Sequence, residues 1–536
     1  MRIKIKFSAK ILFMFLFAQI SAQSLFEPVN SPVYEFLSRL SQKGIIEFND
    51  QIKPLERQYI FLKLSEAEKK QNLLTAADIE ELDFRLLDFK LEKNIFEQKN
   101  REEKYFIKDE SGRIRLFSYS GKNLKINVDP VFGYSYNKFD SENFSVITTG
   151  LKFSGYISDN VGFSFSYRDN ATKRKLYNKK YDFSNKTGVI WHTEDFAEVN
   201  THISYGWNWG NISAGKEFMN WGYGEGGKLV LSDKAPSFPF IRLDLSLTDW
   251  LSFNYFHAWL SSNQIDSSSI YPTSRNGENR TLYREKYMAS HTLTIRPVKG
   301  LDISLGESIV YSDRLEIAYL MPLMFFRLAD HYLSKNRNNA GDNSQFFLGI
   351  SSKNHIKNTH LYGTVFIDEI SIGDLFNVEK ERNQLGFTIG GSVADLPVES
   401  LKLTAEFTKM YPFVYRHYIP SQTYESSSYL LGHWMGHNSD QIYLSASYRI
   451  LRGLNTKIWY QRIRKGGDGV VEMQYVRPSQ PFLFGEVTTL NYFGLKTDYE
   501  IIHTGYVFFE AVFTDTKYFG TKKNIKDISF GLSYGL

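Results

Sequence analysis

The chain has 536 residues, and its 64 basic and 59 acidic side chains nearly cancel to a net charge of +5. That balance gives no case for a nucleic-acid partner, which needs a concentrated basic face. Cysteine is absent, which excludes disulfides, thiolate metal sites and a lipid anchor on an N-terminal cysteine. Aromatic residues are abundant, with 43 Phe and 34 Tyr, while apolar residues reach only 42% in all, so the composition is not that of an ordinary aliphatic core.

The start reads as an export signal. Arg2, Lys4, Lys6 and Lys10 precede an apolar run from Ile11 to Ala18 and then small residues, which predicts a signal peptide over 1–22. The run is too short to span a bilayer, and no later stretch approaches the ~20 consecutive apolar residues of a membrane helix.

A helical period follows. Ser31-Pro32 is an N-cap with proline at the first helical position, and Val33, Phe36, Leu37 and Leu40 share one face. Gly44 breaks this helix, and Pro54 opens a second that carries Ile60 and Leu64. Thr75 with Asp78 resembles a capping box, ahead of a third stripe of Ile79, Leu82, Leu86 and Phe89. Three short helices cannot bury much of a core alone. The module, assigned to residues 23–110, is expected to lean on something larger as a plug or cap, or to meet a periplasmic partner.

From Leu124 onwards the period changes to two. In "VGFSFSYR" Val161, Phe163, Phe165 and Tyr167 take one face and Gly162, Ser164, Ser166 and Arg168 the other. "FIRLDLSLT", "QLGFTIGGSV", "LKLTAEFT" and "QIYLSASYR" repeat the scheme, with Tyr443 the one large residue on its polar side. Arg168, Arg242, Asp244, Lys402, Glu406 and Arg449 lie on polar faces, where a dry sandwich core would strip them of water at heavy cost. Roughly eighteen such strands with strict two-faced alternation are the signature of a transmembrane β-barrel. Backbone pairing inside a bilayer requires such a sheet to close.

Connection lengths give direction to the barrel. Tight turns at Ser158–Asn160, Trp209, Thr248, Arg296, Lys353, Leu396, Leu451 and His503 alternate with long polar connections at about 170–194, 220–239, 262–283, 312–343, 409–440 and 465–487. Short turns belong to the periplasmic side and long loops to the outside. Both termini are then periplasmic, and the charged surface of the helical module is expected to face water there. The chain ends on "ISFGLSYGL", in which Ile528, Phe530, Leu532, Tyr534 and Leu536 alternate with small or polar residues. A final strand that must pair with the first explains this ending, and it resembles the C-terminal signal that the barrel assembly machinery reads.

Three stretches resemble the capsule-assembly Wzi family. "AGKEFMNWGYGEGGKLVLSDKAPSFPFIRLDL" (Ala214–Leu245) is similar to its glycine-rich hairpin, with Lys216 where arginine is usual. "LGESIVYSDRLEIAYLMPLMFF" (Leu305–Phe326) is similar to its "G-E…Y…YL-x-P" stretch, and "VYEFLSRLSQKGIIEF" to the helical lead of Bacteroidetes-type members. The resemblance implies an eighteen-stranded outer-membrane barrel with a helical periplasmic part, in contact with outer-membrane lipid. It implies a lectin that holds capsular or extracellular polysaccharide at the cell surface. Some relatives are linked to gliding motility.

Candidate residues follow from side-chain chemistry. Trp221, Tyr223 and Glu225 lie on the glycine-rich connection, where flat rings suit sugar faces and a carboxylate accepts sugar hydroxyls. The competing reading is a membrane girdle or loop packing. Trp434 and His437 in "LGHWMGHNSD" are candidates of the same kind. His433 and His437 lack a third ligand, so no metal is expected, and no cofactor either. Glu307 breaks the apolar face between Leu305 and Ile309. With Arg242 and Asp244 it is assigned to a polar network inside the barrel, through a bulge or a rim position. No recognisable nucleophile motif is present, so no catalytic residue is assigned. The sequence supports a non-enzymatic polysaccharide-binding barrel, with a passive porin or transporter as the alternative.

Overall fold

The computed structural model describes residues 25–89, 92, 101–173, 175–177, 183–338, 341–369 and 383–535. The signal peptide at 1–22 and Leu536 lie outside the described residues. Antiparallel strands close into a transmembrane β-barrel of eighteen strands, from Leu124–Phe139 to Thr521–Tyr534. The last strand pairs with the first, Asp527 opposite Phe139 through Tyr534 opposite Phe132.

The two-faced pattern is realised in space. Phe165, Tyr167, Leu403, Phe407, Phe530 and Leu532 point outward and are exposed, whereas Ser164, Ser166, Thr404, Glu406 and Ser529 point inward and are buried. Tyr443 faces inward as well. An outward apolar band and an inward polar wall are the arrangement a bilayer imposes on a closed sheet. The eight tight turns gather at one end of the barrel and the long connections at the other. Gly453 shows why one such turn needs glycine. Its φ is +74°, and a Cβ there would come within 2.6 Å of the Glu500 carbonyl oxygen.

A hairpin of Glu102–Lys108 and Ile114–Ser120 precedes the first barrel strand and pairs with its lower part, Phe117 opposite Val128 to Ser120 opposite Lys125. The expected boundary at residue 110 therefore falls inside a β-hairpin that belongs to the sheet.

The helical module comprises α1 (Pro32–Gln42), α2 (Arg57–Glu68) and α3 (Ala76–Phe89). Thr75 Oγ1 accepts from the Asp78 amide at 3.2 Å, as the capping pattern indicates. α2 begins at Arg57 rather than Pro54, because Leu55–Glu56 are drawn into a two-residue ladder with Phe26–Glu27. Val33, Phe36, Leu37, Leu40, Ile60, Leu64, Leu82 and Phe89 form the module's own core.

The charged face of α3 departs from expectation. Asp78, Glu81, Arg85 and Asp88 are buried, not bathed in water. They meet the tight-turn end of the barrel. Arg449 Nη2 lies 2.5 Å from Asp78, Arg85 Nη1 lies 2.6 Å from Glu500, and the Gly453 amide donates to Glu81 at 3.2 Å. Asp78 also takes Arg39 and, at 2.8 Å, Lys43. Burial pushes the Asp78 carboxyl up, but Arg39, Lys43 and Arg449 together hold it well below the usual carboxylate range. A polar helix face is thus buried against a polar wall, and the module stoppers that end of the bore.

Candidate functional site

From α1 the chain runs up into the bore. Gln51 Nε2 donates to Ser304 Oγ on the wall at 2.5 Å. Ile52–Lys53 then pair with Asn220–Trp221, which descend from the long-loop end. The Gly222 amide adds a bond to the Gln51 carbonyl at 2.9 Å. Strands from the two ends of the barrel therefore meet inside it.

The glycine-rich connection that carries Trp221 folds inward rather than outward. Trp221 is 1% exposed, packed edge-on against Phe256 at 4.9 Å, in an apolar core with Met219, Leu229, Leu231, Phe366 and Tyr415. It offers no face to a sugar; the same flat ring that suits carbohydrate also suits a keystone in a filled bore. Trp434 is the second keystone. Its indole N–H donates to the Gly226 carbonyl at 2.7 Å, and its ring meets Phe183 edge-on. His437 is buried as well. Its Nδ1 accepts from the Phe413 amide at 3.1 Å while the ring stacks on Phe413. Burial depresses the His437 and His433 imidazoles to about 3, so both are neutral.

Tyr223 and Glu225 do line a chamber, of about 890 Å³, enclosed by the helical module, the wall and the glycine-rich connection. Lys402 and Lys457 hold the Glu225 carboxylate, the latter at 3.1 Å, and Thr404 adds a hydroxyl at 3.3 Å. Burial raises the Glu225 carboxyl, and the two lysines more than reverse that, leaving it ionised. The residue that fixes this loop is Glu406, which the sequence marks as a polar-face charge and not as a site. Glu406 accepts the amides of Glu225 at 2.8 Å and Gly226 at 2.9 Å, and the Tyr362 hydroxyl at 2.7 Å. Its inward position in "LKLTAEFT" was the available signal. Lining side chains include Tyr506, Lys152, Lys228, Lys496 and Asp498. Rings, amines and carboxylates together can bind polar ligands.

Arg242 and Asp244 face the bore. They pair at 2.8 Å, Asn254 donates to Asp244 at 2.6 Å, and Phe26 lies under the guanidinium at 5.1 Å. Glu307 does not join them, and the assignment to the interior network is corrected here. Its strand, Leu301–Ser312, pairs without a bulge from Leu301 to Val310 on one side, so Glu307 shares the outward face of Leu305. It accepts the amides of Phe326 at 2.9 Å and Arg327 at 2.6 Å, at the start of a short helix packed on the outside of the wall.

Sequence reasoning passed over one feature of the long-loop rim. Tyr177 and Trp191 stand edge-to-face at 5.5 Å, backed by Phe144 and Phe196. Beside them Asn143, Ser145, Lys173, Thr193, Glu194 and Asp195 border a recess of about 630 Å³. Tyr177 and Trp191 lie in the connection 172–194, whose aromatic content is visible in "VIWHTEDF".

The family model "Capsule assembly protein Wzi" matches residues 127–503. No curated protein matches the sequence significantly. Among solved structures, the chain is similar to the Escherichia coli protein described as Wzi, an outer membrane protein involved in group 1 capsule assembly and a carbohydrate-binding β-barrel. That likeness has a TM-score of 0.59 at 11% identity, over 95% of this chain and 99% of that one. Pseudomonas aeruginosa OccK3 (OpdO) matches at a TM-score of 0.43 and 13% identity, over 76% of this chain and 95% of that one. The closed eighteen-strand sheet and the matched span, which takes in the glycine-rich connection, Glu406 and the inward-folded loops, lead to one conclusion: the chain belongs to the Wzi family of capsule assembly proteins.

Proposed function

We propose that this protein is a non-enzymatic barrel of the outer membrane that holds capsular or extracellular polysaccharide at the cell surface. The observation that carries the reading over a porin is the filled bore. The module stoppers the tight-turn end through Asp78, Glu81 and Arg85, and Trp221, Leu229, Tyr415 and Tyr424 fill the upper lumen. A sugar chain is then met from the long-loop side, where the rim pair Tyr177 and Trp191 supplies aromatic rings and the neighbouring recess supplies the amide of Asn143 and the carboxylates of Glu194 and Asp195. Tyr223 and Glu225 serve the chamber beneath, while Trp221, Trp434 and His437 set the shape of the loops that roof it.

In this reading the tight turns, the module and both termini are periplasmic, and the two-faced final strand is the element recognised by the barrel assembly machinery. Purified protein is mixed with surface polysaccharide from the producing cells and binding is followed by microscale thermophoresis. Replacing Tyr177 and Trp191 with alanine is expected to weaken binding at least tenfold without changing the heat-modifiable gel shift. Large stable conductance of the wild-type protein in planar bilayers would favour the porin instead.

A further inference from the structure

Glu307 is one of a row of polar groups on a face that should be apolar. Tyr255 stands opposite His291, and His291 opposite Glu307, with all three in register on neighbouring strands. One step along, His257, Ala289 and Ile309 are opposite one another, and then Trp259, Tyr287 and Tyr311. Leu305, 62% exposed, fixes this face as outward, yet Glu307, Ile309 and Tyr311 are buried.

The cover is the connection after Ser312, which folds down the outside of the barrel. Its backbone is met, group by group, by the polar row. The Tyr319 carbonyl accepts the Tyr255 hydroxyl at 2.9 Å, the Pro322 carbonyl lies 3.0 Å from His291 Nδ1, and the Phe326 and Arg327 amides donate to Glu307. Tyr319, Phe326 and Leu333 pack onto Tyr287, Ile309 and Tyr311. Phe325 lies 5.9 Å from Phe346 on the next strand. Arg327 is paired with Asp330 at 3.0 Å.

This is what an irregular segment needs to enter hydrocarbon, where each unpaired backbone group costs several kcal/mol. Glu307 is six residues from Leu301 and five from Ser312. At about 3.3 Å per residue and ~40° tilt it lies roughly 13–15 Å from either strand end, near mid-depth of an apolar band of ~25 Å. The other side of the strap is apolar and open over 317–325, with Ile317, Met321, Leu323 and Phe325 exposed, Leu323 by 84%; along the helix that follows, exposed Leu328 and Tyr332 alternate with exposed Arg327, His331 and Lys335. That surface is continuous with the outward Leu305, Leu348 and Ile350 of the wall.

We propose that residues 313–336 form a strap inserted in the bilayer, whose outer face, centred on Leu323 and Leu328, binds lipid acyl chains of the leaflet on the long-loop side. The occupant is lipid because the patch extends the wall's own lipid-facing band, and because the polar row opposite solves a problem that exists only away from water.

The absence of cysteine makes the test clean. Single cysteines at Leu323 and Leu328, at Leu305 as a wall reference and at Ser268 as a loop reference, are spin-labelled in proteoliposomes. Collision with oxygen and with a water-soluble nickel chelate then reports depth, and the heat-modifiable shift confirms folding. Labels at 323 and 328 are expected to match 305, at least fivefold richer in oxygen relative to nickel than 268. A match with 268 would place the strap in water and overturn the proposal. Spin–spin broadening at 323 or 328 that disappears on dilution with unlabelled protein would also overturn it, by showing a second copy there.

Discussion

Asp78 concentrates the attachment of the module in one side chain, and its removal should free the stopper without opening the sheet. The carboxylate is fully buried and shared by Arg39, Lys43 and Arg449. In Asp78→Ala, Asp395 still holds Arg39 and Lys43, the latter at 2.8 Å. Arg449 is left without a carboxylate at ion-pair distance among the described residues. Breaking a buried pair from one side costs about 3–5 kcal/mol, because the remaining charge stays desolvated. Taking the lower end, since Asp395 remains, gives ~3 kcal/mol and a roughly hundredfold rise in undocked module. Trypsin cleavage within residues 25–89 reports that population when opening is fast relative to cleavage. The variant should be cut about a hundred times faster there, while the barrel keeps its heat-modifiable shift. An unchanged cleavage rate would refute the assignment of docking to this cluster. Loss of the gel shift would refute the separation of stopper from sheet. The sign with pH follows from the depressed carboxyl: its contribution is complete above the unfolded value of about 4 and fades only as pH falls toward the lower folded value, so the share of docking owed to Asp78 should be unchanged between pH 5 and 7.

The remaining expectations concern loops and faces. His433 and His437 are held neutral at about 3, so the unfolded loop gains protons as pH drops below 6.5. At pH 5 this favours the open loop by about 2 kcal/mol per imidazole, and amide protection across residues 411–438, corrected for the intrinsic exchange rate at each pH, should fall between pH 7 and 5. Glu406→Gln removes the charge that gathers the amides of Glu225 and Gly226, and should lower the melting temperature by several degrees in a calorimeter while leaving strand content unchanged in circular dichroism. Phe530→Asp should impair membrane insertion far more than Ser529→Asp, because Phe530 is exposed on the lipid side and Ser529 is buried inside; equal losses in outer-membrane fractions would contradict the two-faced strand. An epitope at Ser268 should be reachable on intact cells and one at Glu68 should not, and labelling of Glu68 would reverse the orientation.

The barrel was legible because a bilayer leaves strong marks on sequence: strict alternation, a matched final strand, and short turns set against long loops. The tight turns at Ser158, Leu451 and His503 all fall where the residue pattern puts them. What the sequence hid was the direction in which the long loops fold. "NWGYGEGG" has the look of an exposed sugar-binding loop, but Trp221 and Trp434 are spent on filling the bore, since a large buried ring and a sugar platform are the same residue type. Glu307 shows the opposite case. The alternation put it on the apolar face, and the structure keeps it there. The departure from pattern was real, and its cause was a partner nineteen residues later in the chain, at Phe326, which no local period can reveal. The face of α3 that carries Asp78 and Arg85 likewise reads as solvated from sequence, because helix periodicity does not say what a charged face will meet.

The short ladder between Ile52–Lys53 and Asn220–Trp221 changes how load crosses the molecule. In a barrel with a free plug, a pull on a surface loop is absorbed by the wall around it. Here the loop that roofs the chamber is stitched by backbone to the segment leading into α2, and Trp221 is locked laterally by Phe256. In the proposed reading, tension on a polymer held at the long-loop end passes along the barrel axis through this seam to the helical module. The module is seated on the tight-turn rim by ion pairs, so the force arrives as a pull that seats it more firmly. The chain works as a rivet through the membrane, with a head at one face, a stopper at the other and a shank between them.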